Sequence, residues 1–346
     1  MNAYGEDSAA LPDEATQKAF DRDGVVVAPS ILSNAEVEAL RSAVDRQVSN
    51  VGQSATGYDF ERIAKAVWSG EAPRVGGASR FDIERFARFL RADADARPLW
   101  DERSGSTGQP ESSGSFVYDA AAWRYDEGVR DVALRSALPA YCANLLNARY
   151  LNFWEDTTFV KMPGTRQRTA FHQDLGYFQI DGDQCVIVWI PLDPADSQNG
   201  VTEYVRGSHR WPETFASNSF IAQTPLQDSV GPRLPDIEAN RADYDIVSFD
   251  VMPGDAVICH VRTVHGAGGN ISDRPRRAMS FRYCGDTVRY HARDGALTQI
   301  GVGHTLSSGD RLISEDYPMA WPATLRDAAL HELPDRVDAH LAGCPG

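Results

Sequence analysis

The spacing of apolar positions along this chain changes near residue 150. Upstream the repeat is helical. Residues 13 to 50 predict a helix, the short β-branched strand Gly24-Val25-Val26-Val27, and a second helix. Ser33-Asn34-Ala35-Glu36 starts that second helix, because a Ser N-cap and a Glu three residues on can satisfy each other's backbone N–H groups. Val37, Leu40, Val44 and Val48 then recur at helical spacing and give it one apolar face. Residues 129 to 147 predict a further helix with Val129, Val132, Leu134 and Leu138 as buried positions, while the Gly/Ser-rich patch Ser104 to Ser115 reads as a loop.

From Tyr150 the texture is that of short strands. β-rich runs cover 151–161, 170–180, 184–192, 200–205, 246–251, 255–262 and 276–284. Pro163-Gly164, Asp181-Gly182, Asn199-Gly200 and Pro253-Gly254-Asp255 mark turns between them. Many short strands joined by hairpin turns predict a sandwich or jelly roll. Residues 212–246, with Pro212, Pro225, Pro232 and Pro235 and little periodicity, interrupt the series as a lid-like insertion. Helix returns from about residue 313. The expected architecture is therefore mainly β with flanking helices. It is one domain over 1–346, with a helical part at about 13–149, a β core at about 150–290 and a second helical part at about 313–346.

Charge narrows the partners. The 346 residues hold 34 basic and 49 acidic side chains, a net charge of −15. Such a surface repels nucleic-acid backbones and anionic lipid. The longest apolar run, Cys185 to Leu192, is too short to cross a membrane. The five cysteines are odd in number and widely spaced, without a C-x-x-C, so neither a disulfide framework nor a zinc knuckle is expected. Met1 to Asp7 is acidic and lacks an apolar stretch. A cytoplasmic protein acting on a small molecule fits best; nothing in the sequence speaks to oligomeric state. Lysine occurs only at positions 18, 65 and 161, which draws attention to Lys161.

The chemistry gathers in three places. His172-Gln173-Asp174 is an H-x-D, and on extended backbone positions i and i+2 share a face. His265 follows the predicted strand Ala256 to Val261 and precedes Gly266 and Gly268-Gly269, which leave room beside the ring. Two imidazoles and a carboxylate on one side of a metal form a facial triad with open positions, as in non-heme Fe(II) oxygenases, although zinc accepts the same ligands. His260 is a rival ligand that an unbroken strand would turn the other way. The third place is Arg276. Period 2 puts Arg276, Ala278, Ser280 and Arg282 on one face and Arg277, Met279, Phe281 and Tyr283 on the other. The first face suits a dicarboxylate, which an arginine fork grips through two oxygens.

His172-Gln173-Asp174, His265-Gly266, Asn270-x-Ser272 and Arg276, with Gly207-Ser208-His209 between them, resemble the phytanoyl-CoA dioxygenase family of Fe(II)/2-oxoglutarate oxygenases. The likeness spans roughly 16–50 and 150–290. It implies a double-stranded β-helix core, iron on His172, Asp174 and His265, consumption of O2, and 2-oxoglutarate held through its far carboxylate by Arg276 with help from Ser280. Lys161, Gln173 and Trp189 match further positions around the cosubstrate. Two positions depart from the family pattern. Ala267 stands where a serine is usual, and Arg206 where a proline precedes Gly-Ser-His. On the substrate side, Tyr177 and Phe178 follow the H-x-D, and Arg166 and Arg168 precede it. A non-catalytic jelly-roll binding protein with a structural metal is the alternative reading, and a zinc hydrolase would leave Arg276 without a task.

Overall fold

The reciprocal cap at Ser33 and Glu36 forms where the sequence places it. The computed structural model describes residues 11–50, 56–69, 99–104, 114–226, 228–294, 296, 299 and 302–344. Helix α1 (Glu14–Asp23) begins at Asp13, whose carboxylate accepts from the Thr16 N–H at 2.7 Å, and ends at Gly24 in the left-handed region. Strand β1 (Val25–Ala28) follows. Helix α2 (Asn34–Asn50) opens with the reciprocal cap: the Glu36 N–H donates to Ser33 Oγ at 3.3 Å, and the Ser33 N–H donates to Glu36 Oε2 at 2.7 Å. Val37, Leu40 and Val44 are buried and Val48 is half-buried. Strand β2 (Tyr58–Asp59), helix α3 (Phe60–Ser69) and strand β3 (Phe116–Ala120) come next. The expected loop from Ser104 to Ser115 falls largely outside the described residues.

The helix expected over 129–147 is two helices, α4 (Glu127–Arg135) and α5 (Leu138–Leu145). Pro139 lacks the N–H that would continue the first ladder and occupies the opening turn of the second. Strands β4 (Leu151–Lys161), β5 (Thr169–His172), β6 (Ile180–Asp181), β7 (Cys185–Pro191), β8 (Thr202–Val205), β9 (Ile246–Ser248), β10 (Ala256–His260), β11 (His265–Ala267), β12 (Arg276–Gly285) and β13 (Arg289–Tyr290) make the core. Strand β14 (Met319–Trp321) and helices α6 (Ala323–Arg326) and α7 (Leu333–Gly343) complete the chain. The run 170–180 is not one strand. After His172 the chain leaves the sheet through a 3-10 turn at Asp174–Tyr177, where the Leu175 N–H donates to the Val261 carbonyl at 3.3 Å.

Among the described residues two large antiparallel sheets result, beside a small antiparallel pair of β6 with β13. The larger has the order β1-β10-β7-β12-β4-β3-β2, with β14 also on β4; the smaller is β5-β11-β8-β9. This is the double-stranded β-helix expected from the sequence, mainly β with flanking helices. The period-2 faces of β12 decide its two environments. Met279, Phe281 and Tyr283 join Val186, Val188 and Ile190 of β7 in a core shared with α1, α2, α4 and α5. Replacing a buried phenylalanine there by alanine costs about 3–5 kcal/mol. Arg276, Ala278, Ser280 and Arg282 face the opposite way, between the sheets.

Residues 212–246 are packed against the body. Phe215, Ile221, Ala222, Leu234 and Ile237 are buried. The segment is also tied to β5, since the Ala170 N–H donates to the Phe220 carbonyl at 2.7 Å.

Candidate active site

Strand register brings distant residues together. His172 at the end of β5 and His265 at the start of β11 are direct cross-strand partners. Gly266 permits that approach, because a Cβ there would lie 2.9 Å from the Thr169 carbonyl. The turn after β5 then folds Asp174 back, so that its Oδ1 lies 3.2 Å from His172 Nε2 and 3.8 Å from His265 Nε2. The three ligand atoms lie within 4.8 Å of one another. Both rings are oriented from behind: His172 Nδ1–H donates to the Ala170 carbonyl at 2.8 Å and His265 Nδ1–H to the Thr263 carbonyl at 3.0 Å. A carbonyl only accepts, so these contacts set the tautomer and leave both Nε2 lone pairs facing the common point. Burial, then the neighbouring His172, pushes His265 down to about 4 and keeps it neutral. Burial opposes charge on Asp174, but contact with His172, then His265 and Arg282, outweighs it and holds the carboxyl below its ordinary value.

Two cavities meet at this triad. The narrower, about 50 Å³, lies between the sheets and is lined by the triad together with Arg276, Trp189 and Ser280. Arg276 is 2% exposed. Its Nη1 donates to the Phe159 carbonyl at a long 3.4 Å, and its Nε has no partner among the described residues. Burial pushes its pKa down to about 10. A guanidinium buried with so little compensation is costly unless an anion completes it. The wider cavity, about 430 Å³, lies within the range of small-molecule sites. Its walls are largely aromatic, with Tyr58, Phe60, Tyr118, Trp154, Phe178 and Phe220 among them. Asp174, Phe220 and Arg282 line both cavities. The donor set of two imidazoles and one carboxylate fits iron(II), and the unpartnered Arg276 Nε in the adjoining cavity fits the far carboxylate of 2-oxoglutarate.

The phytanoyl-CoA dioxygenase (PhyH) family model matches residues 20–278. The chain belongs to the phytanoyl-CoA dioxygenase family. It is an iron- and 2-oxoglutarate-dependent oxygenase of that family. Among curated family members, a phytanoyl-CoA dioxygenase domain-containing protein 1 homolog of Caenorhabditis elegans is 22% identical over 282 residues, covering 76% of this chain and 87% of the relative. The Danio rerio protein of that name is 29% identical, covering 78% and 89%. Among solved structures, the epimerase SnoN in complex with Fe3+, alpha ketoglutarate and nogalamycin RO superposes with a TM-score of 0.60 at 19% identity, over 91% of this chain and all of the other. The carbocyclase SnoK from nogalamycin biosynthesis gives 0.59 at 21%, over 92% of this chain and all of the other. These likenesses are of fold.

Within this family site the residues singled out by sequence separate into groups. His172, Asp174, His265, Arg276, Trp189 and Ser280 share the narrow cavity. Trp189 and Ser280 are direct cross-strand partners, and the Arg276 guanidinium lies 5.7 Å from the Trp189 ring. Lys161 is the cross-strand partner of Arg276, but its ammonium donates to the carbonyls of Gly268 (2.6 Å) and Gln167 (3.1 Å) rather than into the cavity. Burial, then the charge of Arg276, lowers its pKa. Gln173 points away from the metal side, as its odd position requires; its amide bridges the Arg262 carbonyl at 3.0 Å and the Phe215 N–H at 3.2 Å. Tyr177 and Phe178 line the wide cavity. Arg166 and Arg168 are buried and line neither cavity; Arg168 pairs with Glu203 at 2.7 Å and Glu238 at 3.3 Å. His260 is no ligand, since its Nε2–H donates to the Asp183 carbonyl at 2.7 Å. Sequence reasoning did not single out Arg282, although it shares the face of Arg276, nor Phe220, which no period marks. At the departure Ala267, Thr202 stands directly across in β8 and lines the same cavity.

Proposed function

We propose that the enzyme oxidises, by hydroxylation, a small, largely apolar ring-bearing molecule bound in the wide cavity, with release of succinate and CO2. The observation that carries this reading is the placement of the triad where a narrow cationic cavity meets a wide aromatic one. Iron with 2-oxoglutarate and O2 supplies the oxidising power at that junction. The chain does the rest. His172, Asp174 and His265 would hold the ion, and the Nδ1–H contacts to the Ala170 and Thr263 carbonyls keep both imidazoles aimed at it. Arg276 fixes the cosubstrate by its far end. Trp189 and Ser280 shape the same cavity, and Lys161 braces the strand pair behind it. The aromatic walls position the target C–H bond and keep water away.

The family name does not extend to the substrate on this reading. A coenzyme A thioester is a polyanion, and among the described residues the wide cavity has one basic side chain, Arg282. A secondary metabolite or small catabolic compound suits it better, and SnoN, solved with nogalamycin RO, shows what this fold can hold. We read residues 212–246 as the element that closes over this cavity, since Asn218, Ser219, Phe220 and Leu226 form part of its wall. The five free cysteines support a reducing, cytoplasmic setting. The deciding experiment incubates iron-loaded protein with 2-oxoglutarate, O2 and a panel of ring-bearing compounds. One or more should stimulate succinate release and gain one oxygen atom. No O2-dependent succinate with any compound, or without one, would favour the metal-binding, non-catalytic alternative.

A further inference from the structure

Strand β12 carries three arginines that the fold treats differently. Arg277, on the outer face, is saturated: its Nε and Nη2 reach Asp193 at 3.0 and 2.8 Å and its Nη1 reaches Asp45 at 2.9 Å. Arg276 and Arg282, on the inner face, are buried and each keeps an Nε with no partner among the described residues. Arg276 has its task. Arg282 has none in the chemistry described so far.

Its surroundings indicate one. Arg282 Nη1 donates to Thr157 Oγ1 and to the Ser280 carbonyl at 3.3 Å, which fixes the guanidinium in place. Nη2 lies 3.8 Å from Asp174 Oδ2, too far for a hydrogen bond. Among the described residues Asp174 is the one carboxylate within ion-pair distance, and a bound metal would draw on its charge. The ring of Phe178 lies 5.5 Å from the guanidinium and offers no acceptor atom. So the Nε–Nη2 edge, two parallel donors in fork geometry, is left largely uncompensated beside both cavities.

We propose that this edge of Arg282 is a second oxyanion fork, which binds a carboxylate placed next to the metal. The carboxylate has two possible sources, the near end of 2-oxoglutarate and an acid group on the substrate. The assignment rests on the iron site described above and adds a second cation to it.

The test is anaerobic binding to iron-loaded protein, followed by the charge-transfer absorption of the iron–ligand complex. Oxalate mimics the near, chelating end of 2-oxoglutarate and is too short to reach Arg276. If the cosubstrate is the source, Arg282→Gln weakens both oxalate and 2-oxoglutarate by about tenfold or more and shifts the absorption band, while Arg276→Gln weakens 2-oxoglutarate and spares oxalate. Arg282→Lys, which keeps charge but not the fork, recovers only part of the affinity. If the substrate is the source, both ligands bind Arg282→Gln normally, and the preference of the 2-oxoglutarate complex for 2-naphthoate over 2-naphthamide, present in the wild type, disappears. No change in either arm, with iron and 2-oxoglutarate still binding the wild type, overturns the Arg282 assignment alone. A wild type that binds neither iron nor 2-oxoglutarate overturns the oxygenase reading and this assignment together. Thermal melts of each variant separate loss of the fork from loss of the fold.

Discussion

The two cavities that share Asp174 are built by different means. The narrow one is walled largely by regular strands: Arg276 and Ser280 of β12, Trp189 of β7, His265 of β11 and His172 of β5. Each side chain is aimed by a sheet register, and all but His172, on the edge strand β5, have neighbouring strands on both sides. The wide cavity draws on β2, β3 and β4 but takes much of its lining from irregular or terminal segments. These include Thr56, the turn at Asp174–Tyr177, the loop at Asn218–Phe220, and Ala296 and Gln299. Phe220, at the partition, holds a φ of 64°, a left-handed backbone that a bulky residue adopts only when its surroundings impose it. The comparison suggests that shared chemistry resides on sheet and selectivity on loop, since a strand cannot change one residue's direction without changing its whole face.

The strongest way to break this division is to remove what both cavities share. Asp174→Ala should bring iron content and succinate release to background. One iron retained per chain would show that the two imidazoles suffice. Next, Arg276→Gln should strike the narrow cavity alone. We expect the KM for 2-oxoglutarate to rise roughly 30- to 100-fold, equivalent to about 2–3 kcal/mol of lost charge-assisted hydrogen bonding, with iron retained. An unchanged KM would reassign that arginine.

Phe220→Ala tests the partition from the other side. Its ring lies 4.6 Å from the His172 ring and 5.2 Å from that of Tyr177, so its removal should admit water to the metal junction. Affinity for 2-oxoglutarate should stay within about threefold, while substrate-independent decarboxylation rises severalfold. Equal rates with and without the ring would mean that Phe220 does not seal the cavity.

The smallest effect concerns a residue of neither cavity. Burial, then the neighbouring His209, pushes His260 down to about 4 from an ordinary 6.5. A depressed histidine binds its proton less well folded than unfolded. Its contribution to stability is therefore intact above about pH 6.5 and is lost as pH falls toward 4. His260→Gln should flatten that part of the stability–pH curve of the metal-free protein by the order of 1–3 kcal/mol without altering the KM for 2-oxoglutarate. A slope equal to that of the wild type would place the acid sensitivity elsewhere.

How much of this was legible in the chain follows the same division. The alternation along Arg276 to Tyr283 is strictly local, because successive side chains on a strand must point oppositely. It identified the inner and outer faces of β12 without any partner. The reciprocal cap at Ser33 and Glu36 was legible for the same reason, both partners lying within one turn. The helix over 129–147 was overextended because the apolar spacing continues through the break that Pro139 makes possible. The strand over 170–180 was overextended because what ends it at His172 is a hydrogen bond from Leu175 to Val261, far away in the chain. β11 is three residues long, too short to show a period.

By itself, then, the sequence determined the β-rich class, the ligand types, the face that carries Arg276, and the family to which those residues point. Tertiary structure alone decided that His172 and His265 stand opposite one another, that Gln173 and Lys161 are engaged by backbone groups, that Arg168 is paired with acids, and that Phe220 and Arg282 border both cavities. Local backbone geometry is written in neighbouring residues. The meeting of segments a hundred positions apart depends on register and packing, which no short stretch of sequence encodes.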